Sequence, residues 1–331
     1  MEQAHLHVTE PSQVGEARRR AVALAAAHGV DEDATGTLAL AVTEVATNVL
    51  KHGRGGAILI RALDDPAGVE VIALDRGPGI ANVAACLRDG HSTAGTPGYG
   101  LGTLVRITTG LDIYTQAGKG TVLRFAVHAR RVEPAAKGPT VGVICVAKPG
   151  QDVSGDGWSV VRQGGALAAM VVDGLGHGQH AADAAGAARR TLVERAGTGA
   201  ERQMHALHEA LRPTRGAAAA LCSIGDGGGT FCGVGNIRAF LRDAASTRHL
   251  VSHPGTLGHQ VRKVQTWPFA FGPGTLLLMH SDGLQTQWSL GDYPGLDARH
   301  PAVIAGVAFR DHWRRNDDAT VLVLKADGGR A

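Results

Sequence analysis

Only four cysteines occur in 331 residues, and none forms a CxxC pair. That excludes a disulfide scaffold and a cysteine-based zinc site. Cys86, Cys145, Cys222 and Cys232 stand in apolar or loop settings and are expected to be reduced structural thiols. No apolar run reaches the ~20 residues of a membrane span, and Met1–Glu10 has no signal-peptide pattern. The expectation is a cytoplasmic protein with no membrane partner. A dominant charge is missing as well: 33 Lys and Arg face 30 Asp and Glu, for a net charge of +3. The excess is scattered, with no basic stripe, so nucleic acid is not an expected partner. No glycine run continues into GK[ST], which excludes a P-loop.

Glycine is abundant at 47 residues, roughly twice ordinary usage, so many backbone positions are free to bend or to approach a ligand. The length suffices for two cores, and the polar stretch Arg131–Pro139 reads as the joint between them. The expected domains are residues 1–131 and 141–331, with 132–140 as linker. In the first, helices over 12–28 and 31–52 precede strands over 57–63, 69–74, 111–116 and 121–127, an α/β sandwich pattern. Leu38, Val42, Val45 and Val49 recur at helical spacing as the buried stripe. In the second, strands over 141–147, 158–163, 167–172, 218–224, 229–234, 237–241, 276–279 and 321–324 surround helices near 181–195 and 201–211. That pattern predicts a two-sheet β core with helices outside.

Glu44 and Asn48 lie four residues apart on the second helix and so share a face, with Lys51 and His52 one turn on. Leu74-Asp75-Arg76-Gly77-Pro78-Gly79 follows a strand; its glycines let the backbone pass close to a flat ligand while Asp75 accepts a hydrogen bond. Gly98-Tyr99-Gly100-Leu101-Gly102 leads into a predicted helix over 103–108, whose free amides suit phosphate oxygens. With Gly120-Thr121, these elements occur in an order that resembles the GHKL ATP-binding family over residues 10–128. The short domain is most similar to the RsbT/RsbW group of switch kinases and anti-sigma-factor kinases. The resemblance implies a Bergerat-type fold that binds ATP and Mg²⁺. Asn48 would hold the Mg²⁺, Asp75 would read the adenine amino group with support from Thr121, and Glu44 would orient or deprotonate an acceptor hydroxyl.

Aspartate recurs in the second half beside apolar runs: Asp156, Asp173-Gly174, Asp282-Gly283 and Asp317-Asp318. Like charges brought together at strand ends repel unless something neutralises them, and hard divalent cations take oxygen ligands. The order, and above all DGLGHG and NDDATV, resembles the metal-dependent PPM phosphatases of the SpoIIE/RsbX-like branch over residues 140–326. The resemblance implies an α-β-β-α sandwich holding two Mn²⁺ or Mg²⁺ ions. Asp173 would bridge them with help from the Gly174 carbonyl, Asp282 and Asp317 would complete the set, and Asp156 would be a further acidic position. Asp317 is preferred to Asp318 because it heads the D-x-x-T pattern. His177 and His180 are a weak zinc motif and read better as surface or substrate-facing residues.

The fold class is therefore α/β in two domains, a GHKL (Bergerat) sandwich followed by a PPM-type sandwich. The resemblances imply a bifunctional partner-switching regulator. Its kinase domain would phosphorylate Ser/Thr on a STAS-domain antagonist or stressosome scaffold protein, and its phosphatase domain would reverse this. A sigma factor or downstream switch phosphatase would be a further partner, and a homodimer the expected assembly. The alternative is a nucleotide-gated module that binds an anti-sigma system component without kinase turnover, fused to an active phosphatase.

Overall fold

The computed structural model describes residues 3–87, 100–129 and 138–326. The chain divides into two compact units: Met1–Ala135 with Tyr293–Arg299, and Ala136–Asp292 with His300–Ala331. The first contains β1 (Gln3–Val8), α1 (Pro11–Ala27), α2 (Glu32–Lys51), β2 (Gly56–Asp64), β3 (Ala67–Asp75), α3 (Val83–Cys86), α4 (Gly100–Ile107), β4 (Thr109–Gln116) and β5 (Gly120–His128). Its antiparallel sheet runs β1-β2-β3-β5-β4.

The start of α2 is fixed locally. Asp31 accepts from Ala34 N at 2.9 Å, and Glu32 and Asp33 lie in the first turn with Lys51 in the last, complementing the helix dipole. The expected stripe is buried, and Ala41 and Ala46 join it. These side chains meet Ile58, Ile60, Val71 and Phe125 in one core, each large one contributing about 1.5–3 kcal/mol by burial. Strand β1 was not expected from the sequence. Its signal is the two-residue period of Ala4, Leu6 and Val8, which face that core, while His5 and His7 lie between them.

The second unit contains β6 (Thr140–Val146), β7 (Asp156–Gln163), β8 (Ala166–Gly174), α5 (Gln179–Glu194), α6 (Ala200–Ala210), β9 (Ala217–Gly225), β10 (Gly228–Val234), β11 (Arg238–Arg242), β12 (Thr247–Leu250), β13 (Gly255–Thr256), β14 (Gln260–Val261), β15 (Thr266–Phe269), β16 (Leu276–His280), α7 (Pro301–His312) and β17 (Ala319–Lys325). Two five-stranded sheets, β15-β10-β9-β8-β7 and β12-β11-β16-β17-β6, stack face to face. Alternation along β8 shows the layers. Leu167, Ala169 and Val171 enter the core between the sheets, whereas Ala168, Met170 and Val172 meet Ala184, Ala188 and Leu192 of α5 and Met204 and Leu207 of α6. Helix α7 covers the other sheet at β6 and β17, completing the expected α-β-β-α order.

No element is expected over 301–312 from the sequence, yet α7 is a full helix, and residues 301–310 are all buried. A helix apolar on every side shows no amphipathic period, so periodicity could not reveal it. Its N-terminus rests on β6 at Gly142, where an added β-carbon would collide with the backbone of Pro301 and Ala302. Neither partner is a flexible side-chain end, so Gly142→Ala is expected to destabilise the second unit by about 3 kcal/mol. Urea unfolding followed by tryptophan fluorescence would measure this, and an unchanged midpoint would contradict the close contact.

All four cysteines are unpaired with one another. Burial raises the thiol pKa of Cys145 to about 11, of Cys222 to about 12 and of Cys232 to about 11, which makes them poor nucleophiles.

Candidate functional site

The first site is a cavity of about 700 Å³ between α2 and the ends of β3 and β5, lined by Glu44, Asn48, Asp75, Gly79, Gly100 and Thr121. This is within the ~300–1,000 Å³ typical of small-molecule sites. Glu44 and Asn48 do share a face: Asn48 Nδ2 donates to Glu44 Oε1 at 3.3 Å. Lys51 and His52 line the same cavity. Leu74 pairs with Val122, so Asp75 ends its strand across from Thr121. Two backbone amides, Gly77 N at 2.8 Å and Thr121 N at 3.2 Å, donate to Asp75 Oδ1 and fix the carboxylate plane.

Gly77 does not line the cavity. A β-carbon there would stand 2.8 Å from the His52 carbonyl, so this glycine lets the loop after Asp75 close on the end of α2. Gly79, with φ +81°, packs on the Gln116 carbonyl. Thr115, not anticipated from the sequence, ties the floor together. Its Oγ1 accepts from Ile80 N at 2.8 Å and lies 3.2 Å from Thr121 Oγ1. Helix α4 begins at Gly100, three residues earlier than expected, so Gly100 and Gly102 lie inside it and Gly102 is buried there. Gly98 lies outside the described residues.

The second site gathers the acids. Strand register places Asp156 opposite Asp173. Burial and then the charges of Asp282, Asp317 and Asp318 push the Asp173 carboxyl up to about 7. Burial, followed by Asp173, also drives Asp156 well above the usual carboxylate range, and burial with Asp317 raises Asp282. The five acids are electrostatic neighbours, as hard oxygen donors for a divalent cation must be. Among the described residues no group of three or more His, Cys, Asp or Glu side chains stands close enough together to hold a metal ion.

Several partners were not legible in the sequence. Ser281 Oγ donates to Asp156 Oδ2 at 2.6 Å and accepts from Thr320 N at 3.0 Å. Asn236 Nδ2 donates to Asp282 Oδ2 at 2.8 Å. Ser281 directly precedes Asp282, a weak clue; Asn236 gave none, being 46 residues from Asp282. Asp318 is 3% exposed and accepts from Lys148 N at 2.8 Å and Gly155 N at 2.9 Å. Its carboxylate anchors two backbone segments, while Asp317 is partly exposed beside it. Gly174 and Gly283 follow their aspartates for steric reasons: a β-carbon would strike the Ala181 carbonyl or the Asp318 carbonyl. His177 and His180 are exposed, outside any three-residue cluster among the described residues.

An α/β sandwich with an Asp-centred cavity, joined to a two-sheet sandwich with acids at its strand ends, defines a kinase-like ATPase domain fused to a PPM-type phosphatase domain. Residues 8–127 match the histidine kinase-like ATPase domain, and residues 163–327 match stage II sporulation protein E (SpoIIE). The chain thus joins a segment similar to the histidine kinase-like ATPase domain to a C-terminal segment similar to SpoIIE. It is 34% identical over 86 residues to the serine/threonine-protein kinase RsbT of Bacillus subtilis (strain 168), 25% of this chain and 65% of the kinase. It thus spans slightly under two thirds of that relative. To the phosphoserine phosphatase RsbX of the same strain it is 26% identical over 140 residues, 41% of this chain and 70% of the phosphatase. A solved chain described as "The bacterial stressosome: a modular system that has been adapted to control secondary messenger signaling" is 30% identical, with a TM-score of 0.53, over 57% of this chain and 100% of that one. No helix among the described residues is long and apolar enough to cross a membrane.

Proposed function

We propose that this chain is a bifunctional partner-switching regulator. Residues 1–131 phosphorylate Ser/Thr on a STAS-domain antagonist or stressosome scaffold protein, and residues 141–331 hydrolyse phosphoserine or phosphothreonine on the same or a paired protein. The observation that supports this best is the presence of two opposed sites in one chain. One is a nucleotide-sized cavity with Glu44, Asn48 and Asp75 on its walls; the other is a group of neighbouring carboxylates whose pKa values are raised by burial and by one another. A serine/threonine kinase and a phosphoserine phosphatase among the relatives point the same way.

In the first site Asp75, with Oδ1 held by two amides, presents a fixed carboxylate edge to the adenine amino group. Thr121 supports that edge, and Gly79 and Gly100 shape the wall. Asn48 would hold the Mg²⁺ of ATP, and Glu44, bonded to Asn48, would take the proton of the attacking hydroxyl. In the second site Asp173, the Gly174 carbonyl, Asp282 and Asp317 would hold two Mn²⁺ or Mg²⁺ ions, with Asp156 behind Asp173. Such ions supply an acidified water and charge neutralisation for in-line attack on phosphorus. Asn236 and Ser281 keep two of these carboxylates in fixed orientation. The reading includes a sigma factor or downstream switch phosphatase as a further partner, and a homodimer.

The test is phosphate transfer from labelled ATP and Mg²⁺ to purified STAS partners, in an Asp173→Asn background so that label is retained. Label that appears, and is released on adding the wild-type chain with Mn²⁺, is the expected result. ATP binding without label on any partner would replace this reading with a nucleotide-gated binding module fused to a phosphatase.

A further inference from the structure

The chain between α7 and β17 wraps around the turn that carries Asp282. Arg314 N donates to the Gly283 carbonyl at 2.9 Å, Gln285 N donates to the His312 carbonyl at 2.9 Å, and Leu284 pairs with Trp313 in an antiparallel bridge. This wrapping segment is closed on itself. Trp313 Nε1 donates to the Asp317 carbonyl at 3.0 Å, and its ring stacks on Phe309 of α7 with centroids 4.8 Å apart. Within the loop Arg315 has φ +63°, the left-handed region that disfavours any β-carbon. Glycine or asparagine would occupy that position at lower cost, and strained non-glycine residues concentrate at functional sites.

Beside it, Arg314 is exposed, and among the described residues its guanidinium makes no hydrogen bond or ion pair. Its backbone is bonded to the residue that directly follows Asp282, through Arg314 N and the Gly283 carbonyl, so its side chain starts beside that turn. A guanidinium held beside an acid cluster, yet not paired to it, is available for an incoming anion. Its planar fork matches phosphoryl oxygens in a way a point charge does not.

We propose that Arg314 is a substrate-binding residue of the phosphatase site, donating to the phosphoryl oxygens of a phosphomonoester and, after hydrolysis, to inorganic phosphate. The inference rests on the metallophosphatase reading of Asp173, Asp282 and Asp317. The strained turn at Arg315 and the Trp313 clamp fix the Arg314 backbone beside the Asp282 turn before substrate arrives, which lowers the ordering cost of binding.

The experiment compares wild type, Arg314→Ala and Arg314→Lys as full chains with Mn²⁺, on p-nitrophenyl phosphate and on a phosphoseryl peptide. Inorganic phosphate is titrated as inhibitor. For Arg314→Ala we expect KM for both substrates and Ki for phosphate to rise together, roughly 10- to 100-fold for loss of a charged hydrogen bond. Arg314→Lys should recover part of this, and the Mn²⁺ concentration for half-activity should move far less. An unchanged phosphate Ki in Arg314→Ala, or an effect carried wholly by the Mn²⁺ requirement, would overturn the proposal and leave Arg314 as a charge that only tunes Asp282. A wild-type chain without Mn²⁺-dependent hydrolysis of either substrate would remove the metallophosphatase reading, and this proposal with it. An active wild type with an unaltered Arg314→Ala would remove this proposal alone.

Discussion

Replacing Asp173 by asparagine is expected to abolish phosphatase activity and, in the presence of a chelator, to make the protein more stable. The carboxylate sits opposite Asp156 and within the field of Asp282, Asp317 and Asp318. Without cations that arrangement costs free energy. With cations it is the arrangement proposed to hold them, and losing the proposed bridging ligand is expected to lower kcat/KM by about 10³-fold or more, since metal stabilisation of transition-state charge is worth several kcal/mol.

The stability effect has a definite sign. Folding raises the Asp173 carboxyl from an ordinary value of 3.8 to about 7. The folded state is therefore unaffected by this group below about pH 4 and loses stability as pH rises through 7. The full penalty at pH 8 is on the order of 4 kcal/mol. The Asn variant escapes most of it, so urea unfolding in chelator should separate the two proteins at pH 8 and bring them together near pH 4. Wild type should gain stability on adding Mn²⁺ and the variant little. An Asp173→Asn protein that hydrolyses p-nitrophenyl phosphate at the wild-type rate would remove Asp173 from the metal set.

In the first unit, Glu44→Ala and Asp75→Ala are expected to fail in different ways. Glu44 touches Asn48 but no backbone amide that holds the cavity together. Its loss should leave nucleotide affinity within a few-fold of wild type while phosphoryl transfer falls ~10²–10⁴-fold, the usual contribution of a general base. Asp75 is structural as well as recognitional, because Gly77 N and Thr121 N both end on its Oδ1. Removing it leaves two amides without their acceptor and deletes the adenine contact proposed for it. ATP binding should then become too weak to detect by calorimetry at micromolar protein. Transfer that persists in Glu44→Ala would assign the base elsewhere, and tight ATP binding by Asp75→Ala would discard the adenine contact.

Local patterns and their order are set by the chain alone. Helix α2 was readable because its apolar residues repeat at 3.6, and most sandwich strands because their runs are short and bounded by turns. The E-x-x-x-N pair needed only helix geometry to share a face. The acids were legible as acids beside apolar runs. Which groups meet across long separations is set by folding. That Asp156 faces Asp173 depends on the register of β7 against β8. That Ser281 holds Asp156, 125 residues away, depends on how the two sheets stack. Asp317 and Asp318 are adjacent and alike in sequence, but only the fold buries Asp318 on the amides of Lys148 and Gly155 and leaves Asp317 partly exposed. Helix α7 stayed hidden because burial on every side erases the period that betrays a surface helix. Local periodicity is written along the chain, whereas register, stacking and desolvation are properties of pairs, and those pairs exist only once the chain has folded.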